Sequence, residues 1–97
     1  MKCYDDCHTY EMETFMKNPG GHHIQFYMMR PNGEKRDGVT NEEVIKTLLH
    51  RLNFLNEKDF KCRENSLAIT KLEEALMWLN RRTENRVDRG VEGTHQI

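Results

Sequence analysis

One serine, two prolines and no long apolar run: this 97-residue chain is short of the residues from which many functions are built. No stretch approaches the ~18 consecutive apolar residues of a membrane-spanning helix, so no membrane partner is expected. The single serine, Ser66, falls at the start of a predicted helix with no acid–base partner in sequence reach. Neither a P-loop nor a dinucleotide-binding glycine pattern is present. Glu73 and Glu74 are adjacent, which turns them about 100° apart on a helix and leaves them solvated rather than paired. With no assembled acid, base or nucleophile set, the chain reads as a non-enzyme with no cofactor. Charge of one sign is missing too: the net charge is -1, which excludes a globally cationic binder of DNA or RNA polymer.

Cysteine is sparse and odd in number: Cys3, Cys7 and Cys62. With no recognisable signal peptide, this favours free thiols in a reducing compartment. Cys3-x-x-x-Cys7-His8 has the spacing of half a zinc site, but no second ligand pair follows, and His22-His23 are the nearest alternatives. A polar N-terminus without metal is the expectation.

What the chain does have is a wide apolar band on a long helical pattern. Thr40-Asn-Glu-Glu43 reads as a capping box that opens a first helix over 40–56. Val44, Ile45, Leu48, Leu49, Leu52 and Leu55 then recur at helical spacing. A longer helix lies within 61–88. Cys62, Ile69, Leu76 and Thr83 form one of its heptad rows, and Asn65, Leu72, Leu79 and Arg86 form the other. Ala68, Ala75, Trp78, Leu67 and Met77 widen the band. A short connection makes the two helices antiparallel neighbours of roughly 25 and 40 Å, so the longer overhangs by roughly 15 Å. Phe60 is expected to pack under the connection, and Gly90 to stop the second helix before an extended tail over 89–97.

Before the helices lies an arm, residues 1–39. Its first 21 residues read as weakly structured, with a short helix over Glu11–Lys17 ended by Asn18-Pro-Gly-Gly21. Residues 24–29 suit a strand with Ile24, Phe26 and Met28 on one face. Arg30-Pro-Asn-Gly33 reads as a turn, and 34–39 as a short polar return. The expected fold is therefore all-α: one domain over 1–97, a two-helix hairpin with an N-terminal arm (short helix or small hairpin) and a C-terminal tail. A core this small is marginal, and the apolar band faces more than one way, so the chain is expected to be oligomeric.

Charges are unevenly placed. Asp5, Asp6, Glu11 and Glu13 face one Lys2 within 1–14, whereas Arg81, Arg82, Arg86 and Arg89 outnumber Glu84 and Asp88 within 81–89. The arginine group has two readings: a solvated helix end, favoured by the helix dipole, or an anion site of planar donors. In the arm, Phe26 and Tyr27 stand beside Arg30, Lys35 and Arg36. Aromatic faces with cations suit a nucleotide base and its phosphate, and equally a small core with a charged rim. Asn65 at a heptad position suits register control, and Arg63 with Glu64 suits a bridge to a neighbouring helix.

Cys62-Arg-Glu-Asn-Ser-Leu-Ala-Ile-Thr-Lys-Leu-Glu-Glu-Ala75 with Trp78, Arg82-Thr83, Arg86 and Arg89-Gly-Val-Glu-Gly-Thr-His95 resembles the phage anti-CBASS cyclic-nucleotide sponges. His22-His-Ile-Gln-Phe26, Gly38-Val39 and Asn41-x-Glu43 fit the same pattern more loosely, and together these cover roughly 22–95. The resemblance implies a helical-hairpin protein assembled as a symmetric hexamer, with ligand pockets between subunits. It implies sequestration of cyclic dinucleotides, and in some members cyclic trinucleotides, in the cytoplasm of the infected bacterium. Within the matching segments, chemistry selects Phe26 or Tyr27 for stacking and Lys35, Arg36, Arg82 and Arg86 for phosphate. Thr94 and His95 would close a pocket, while Arg63 and Asn65 would serve a second site or a subunit seam. The alternative is a helical adaptor that binds a host polypeptide through its apolar face.

Overall fold

Short strands alternating with tight turns fill the first forty residues, including residues 1–21, where the sequence suggested little order. The computed structural model describes residues 1–57 and 61–88. It divides into two compact units, Met1–Thr40 and a helical unit that begins at Asn41.

The first unit carries five strands: β1 (Lys2–Tyr4), β2 (Thr9–Met12), β3 (His22–Gln25), β4 (Met28–Met29) and β5 (Lys35–Arg36). β1, β2 and β3 form an antiparallel sheet in that order, and β4 pairs antiparallel with β5. The expectation of an all-α fold is thus wrong; the protein is mixed α/β. The helix expected over Glu11–Lys17 is replaced by the end of β2 and a turn in which the Lys17 and Asn18 amides donate to the Thr14 carbonyl and hydroxyl oxygens. Seven residues of helix would leave most backbone groups unpaired at the ends. The β2 segment instead satisfies its backbone on both sides, with Tyr10 opposite Cys3 and Ile24.

Cross-strand side chains follow the register. Glu11 lies opposite both Lys2 and His23 and pairs with each, at 3.9 and 3.4 Å. Tyr10 meets Phe26 edge-on, with ring centroids 5.6 Å apart. The expected alternation over 24–29 holds: Ile24 and Phe26 are half-buried and Met28 is buried, while Gln25 and Tyr27 are exposed. The turn over Arg30–Gly33 also forms, closed by the Gly33 amide on the Arg30 carbonyl at 2.9 Å with Gly33 at φ 88°. Gly38 allows a close approach of two chain segments. A Cβ there would overlap the Phe26 carbonyl, where the Val39 amide donates to Gln25 and the Tyr27 amide to Val39, both at 2.9 Å.

The second unit is a pair of packed helices, α1 (Asn41–Asn56) and α2 (Arg63–Asp88). Glu42 and Glu43 occupy the first turn of α1, where carboxylates suit the helix dipole. Asn56 ties the end of α1 to the start of α2. Its amide nitrogen donates to the Ser66 hydroxyl and its oxygen accepts the Cys62 amide, each at 3.1 Å. Cys62 in turn caps α2, its sulfur accepting the Asn65 amide at 3.4 Å. The α2 residues turned inward are Asn65, Ile69, Leu72, Ala75, Leu76, Leu79, Thr83 and Arg86. Both heptad rows are represented, with Cys62 the exposed exception. Ile69 alone in this unit's described residues is buried; Leu48, Phe54, Leu67, Met77, Trp78 and Val87 stay exposed. No described helix is long and apolar enough to cross a membrane.

Candidate functional site

Two clusters of cations stand out, one in each unit. The cluster in the first unit is built on the β4–β5 hairpin. Arg30 precedes the turn, Arg36 ends β5, and both reach carboxylates on the turn that joins β1 to β2. Arg30 bonds Asp5 at 3.0 Å and Asp6 at 3.2 Å, and Glu34 lies 3.4 Å from its Nε. Arg36 pairs with the other oxygen of Asp5 and donates to the Thr9 hydroxyl at 3.3 Å. Asp5 therefore bridges two guanidinium groups, a charge-assisted arrangement stronger than separate neutral bonds. The Arg30 pKa is pushed further up, chiefly by its hydrogen bond to Asp6, so the group stays cationic under all ordinary conditions. The Arg36 Nε is buried and finds no hydrogen-bond acceptor among the described residues.

The acidic turn is conformationally costly. Asp5, Asp6 and Cys7 have φ of 57°, 55° and 65°. Each non-glycine residue held there costs on the order of 1 kcal/mol, least for aspartate. Ion pairs to Arg30 and Arg36 offset that cost.

Among the residues selected from sequence, Arg36 is thus already engaged by carboxylate. Lys35 is exposed with no ion pair among the described residues. Tyr27 is 41% exposed, whereas Phe26 is half-buried against Tyr10. Arg30, Asp5 and Asp6 were not selected. Arg30 was visible only as one more cation near the aromatics, and nothing local ties it to carboxylates 24 and 25 residues away. His8, the third member of the Cys3-x-x-x-Cys7-His8 pattern, lies within 2.8 Å of the Asp5 carbonyl through Nδ1. No group of three metal-ligating side chains occurs among the described residues.

In the helical unit, Arg63 and Arg82 are exposed, and Asn65 and Arg86 are half-buried on the inward rows. Thr94, His95 and Arg89 lie outside the described residues, as do the expected Gly90 stop, the tail and Phe60. An open groove of about 560 Å³ runs between Leu49 of α1 and Leu76, Met77 and Asn80 of α2. Its charged rim is Arg81 between Glu73 and Glu84. One arginine against two glutamates makes this rim a poor receptor for phosphate. The phosphate candidates Arg82 and Arg86 do not line it.

The comparisons with known proteins bear on both units. The family profile described as "Acb2/Tad1, hairpin domain" matches residues 27–84, which run from the exposed Tyr27 through the β4–β5 hairpin and most of α2. A protein named Thoeris anti-defense 1, from Bacillus phage SBSphiJ7, is 58% identical over 60 residues. That match covers 62% of this chain and 42% of the relative's length.

Proposed function

Because the chain belongs to the Acb2/Tad1 family of phage cyclic-nucleotide sponges, we propose that it silences a bacterial defence by holding that defence's nucleotide signal without hydrolysing it. The observation that carries this reading is the family match over 27–84, which takes in Tyr27, Lys35, Arg36, Arg63, Asn65 and Arg82. Sequestration requires tight binding and abundance rather than turnover. Cyclic dinucleotides, with cyclic trinucleotides at a second site, are the proposed ligands in the infected cytoplasm. Tyr27 supplies the more accessible stacking face, and Phe26 stiffens the segment beside it. Arg82, Arg86 and Lys35 take phosphate, with Arg36 joining when Asp5 yields. Arg63 and Asn65 serve the second site or a subunit seam, and Thr94 and His95 close the pocket.

Self-assembly belongs to the same proposal. Trp78, Met77 and Leu67 are each about half exposed, and a further copy, up to a hexamer, would cover them. A pocket across a two-fold axis then presents each aromatic and each cation twice.

Calorimetric titration against a panel of cyclic di- and trinucleotides tests the ligand, and ligand recovered intact after heat denaturation tests the absence of catalysis. A panel with no heat of binding moves the case to the helical adaptor; degraded ligand moves it to an enzyme. The relative's name favours a second reading, in which the silenced system is Thoeris rather than CBASS. Filtrates of infected cells carrying each system separate the two. The right filtrate loses its effector-activating power on incubation with the protein and regains it on heating.

A further inference from the structure

The strained acidic turn is flanked by two thiols. The Sγ atoms of Cys3, in β1, and Cys7 lie 3.1 Å apart, and both residues are exposed. Between them stand Asp5 and Asp6, whose carboxylates hold Arg30 and Arg36. The remaining cysteine has a different role, since the Cys62 sulfur caps α2. We propose that Cys3 and Cys7 form a thiol–disulfide site, oxidised by low-molecular-weight disulfides to a bond within the turn that clasps Asp5 and Asp6 onto Arg30 and Arg36. This goes beyond nucleotide sequestration and does not depend on it.

The two sulfurs need to approach by about 1 Å to reach a bond of about 2 Å. In the first step the Cys7 thiolate attacks one sulfur of oxidised glutathione, forming a mixed disulfide and expelling one glutathione thiolate. The Cys3 thiol then loses its proton to water and attacks the Cys7 sulfur, expelling the second glutathione. Two protein thiols give up two electrons and two protons, and one glutathione disulfide becomes two glutathione thiols. The Cys3 thiol and the Tyr10 phenol are both pushed up, first because each shares a hydrogen bond with Cys7.

A five-residue ring restricts the turn that otherwise rests on ion pairs and the hydrogen bonds of His8. The His8 amide reports on it, since it donates to the Tyr4 and Asp5 carbonyls at 3.2 Å. The test places the reduced full chain in glutathione buffers of rising oxidised fraction, quenches with acid, alkylates, and maps peptides by mass spectrometry. Cys3 and Cys7 should lose alkylation together, with the disulfide inside the single tryptic fragment 3–17, while Cys62 ends as a glutathione adduct. Cys3→Ser and Cys7→Ser should each leave a glutathione adduct on the remaining thiol of the turn. Oxidation of the wild type should slow hydrogen exchange at His8 by about tenfold or more. Separate glutathione adducts on Cys3 and Cys7, or bonds only between molecules, would overturn the proposal. So would an internal bond that leaves His8 exchange unchanged or faster.

Discussion

In the first forty residues both buttressing arginines are engaged by carboxylate: Arg30 faces three, and Arg36 shares one of them. In α2, Arg63 and Arg82 stand in solvent. Apolar exposure does not separate the two units, since the first leaves Met1, Phe15 and Met16 each more than four-fifths exposed. The helical unit leaves Trp78, Phe54 and Met77 each more than half exposed, while its buried side chain among the described residues is Ile69. The arm spends its polar chemistry inward and holds itself together. The helix pair keeps Arg63 and Arg82 in solvent, where the proposed nucleotide binding calls on them.

The largest test of this contrast is Ile69→Ala. It removes the best-buried contact of the α1–α2 seam and should cost about 3 kcal/mol in chemical denaturation followed by helical circular dichroism. In a unit with so thin a core, a loss of that size unfolds much of the population. Amide exchange in the β1–β2–β3 sheet measures whether the first unit stands without it. A cost below about 1 kcal/mol would mean that Ile69 does not anchor the seam.

Gly38→Ala attacks the other side of the comparison. A methyl group there must push against the Phe26 and Gln25 backbone, so a cost of about 2 kcal/mol is expected, confined to the first unit. Exchange at the Tyr27 and Val39 amides should rise while the helical signal is unchanged. Protection that survives the substitution would show that the two segments do not need this approach.

Arg82→Ala sharpens the contrast from the ligand side. Because Arg82 is exposed, its removal should move stability by no more than about 0.5 kcal/mol. Affinity for a cyclic dinucleotide should fall about tenfold, equivalent to about 1.4 kcal/mol. Arg36→Ala should instead destabilise the arm whether or not ligand binds, since it strips a partner from Asp5. Equal effects of both substitutions on stability would erase the distinction between engaged and available cations.

These differences follow how much of each unit could be read from the chain. Both helices were legible because a period near 3.6 repeats for many residues, and the rows anchored by Ile69 and Leu72 indeed point inward. The Arg30–Gly33 turn was legible because proline and glycine set its backbone angles. The three-stranded sheet was not. Its strands are three or four residues long, β1 is exposed throughout, and pairings such as Thr9 with Gln25 are non-local. Nothing in Asp5-Asp6-Cys7 announces three left-handed residues, which sequence reasoning assigns to glycine or asparagine. The Arg30–Arg36–Asp5 cluster was hidden for the same reason, because it exists only once that sheet and turn have formed.

The smallest expected effect concerns pH, and it should appear in the arm alone. The Cys3 thiol is lifted above its usual value of 9.0, and the Tyr10 phenol above 10.0, each first through a hydrogen bond with Cys7. A raised pKa means that the folded arm prefers the protonated group. Its contribution is fully present below the unfolded value and is lost as pH rises through the higher, folded one. Exchange at the His8 and Phe26 amides, corrected for the intrinsic pH dependence of exchange, should therefore show the turn loosening on the alkaline side of pH 9. Cys3→Ser should remove the thiol part of that slope, leaving the phenol's part at higher pH. Protection in α2 should not share this thiol-linked slope, since Cys3 and Tyr10 both belong to the first unit. A turn that tightens as pH rises would reverse the sign, and would mean that the paired thiols prefer the folded arm as thiolates.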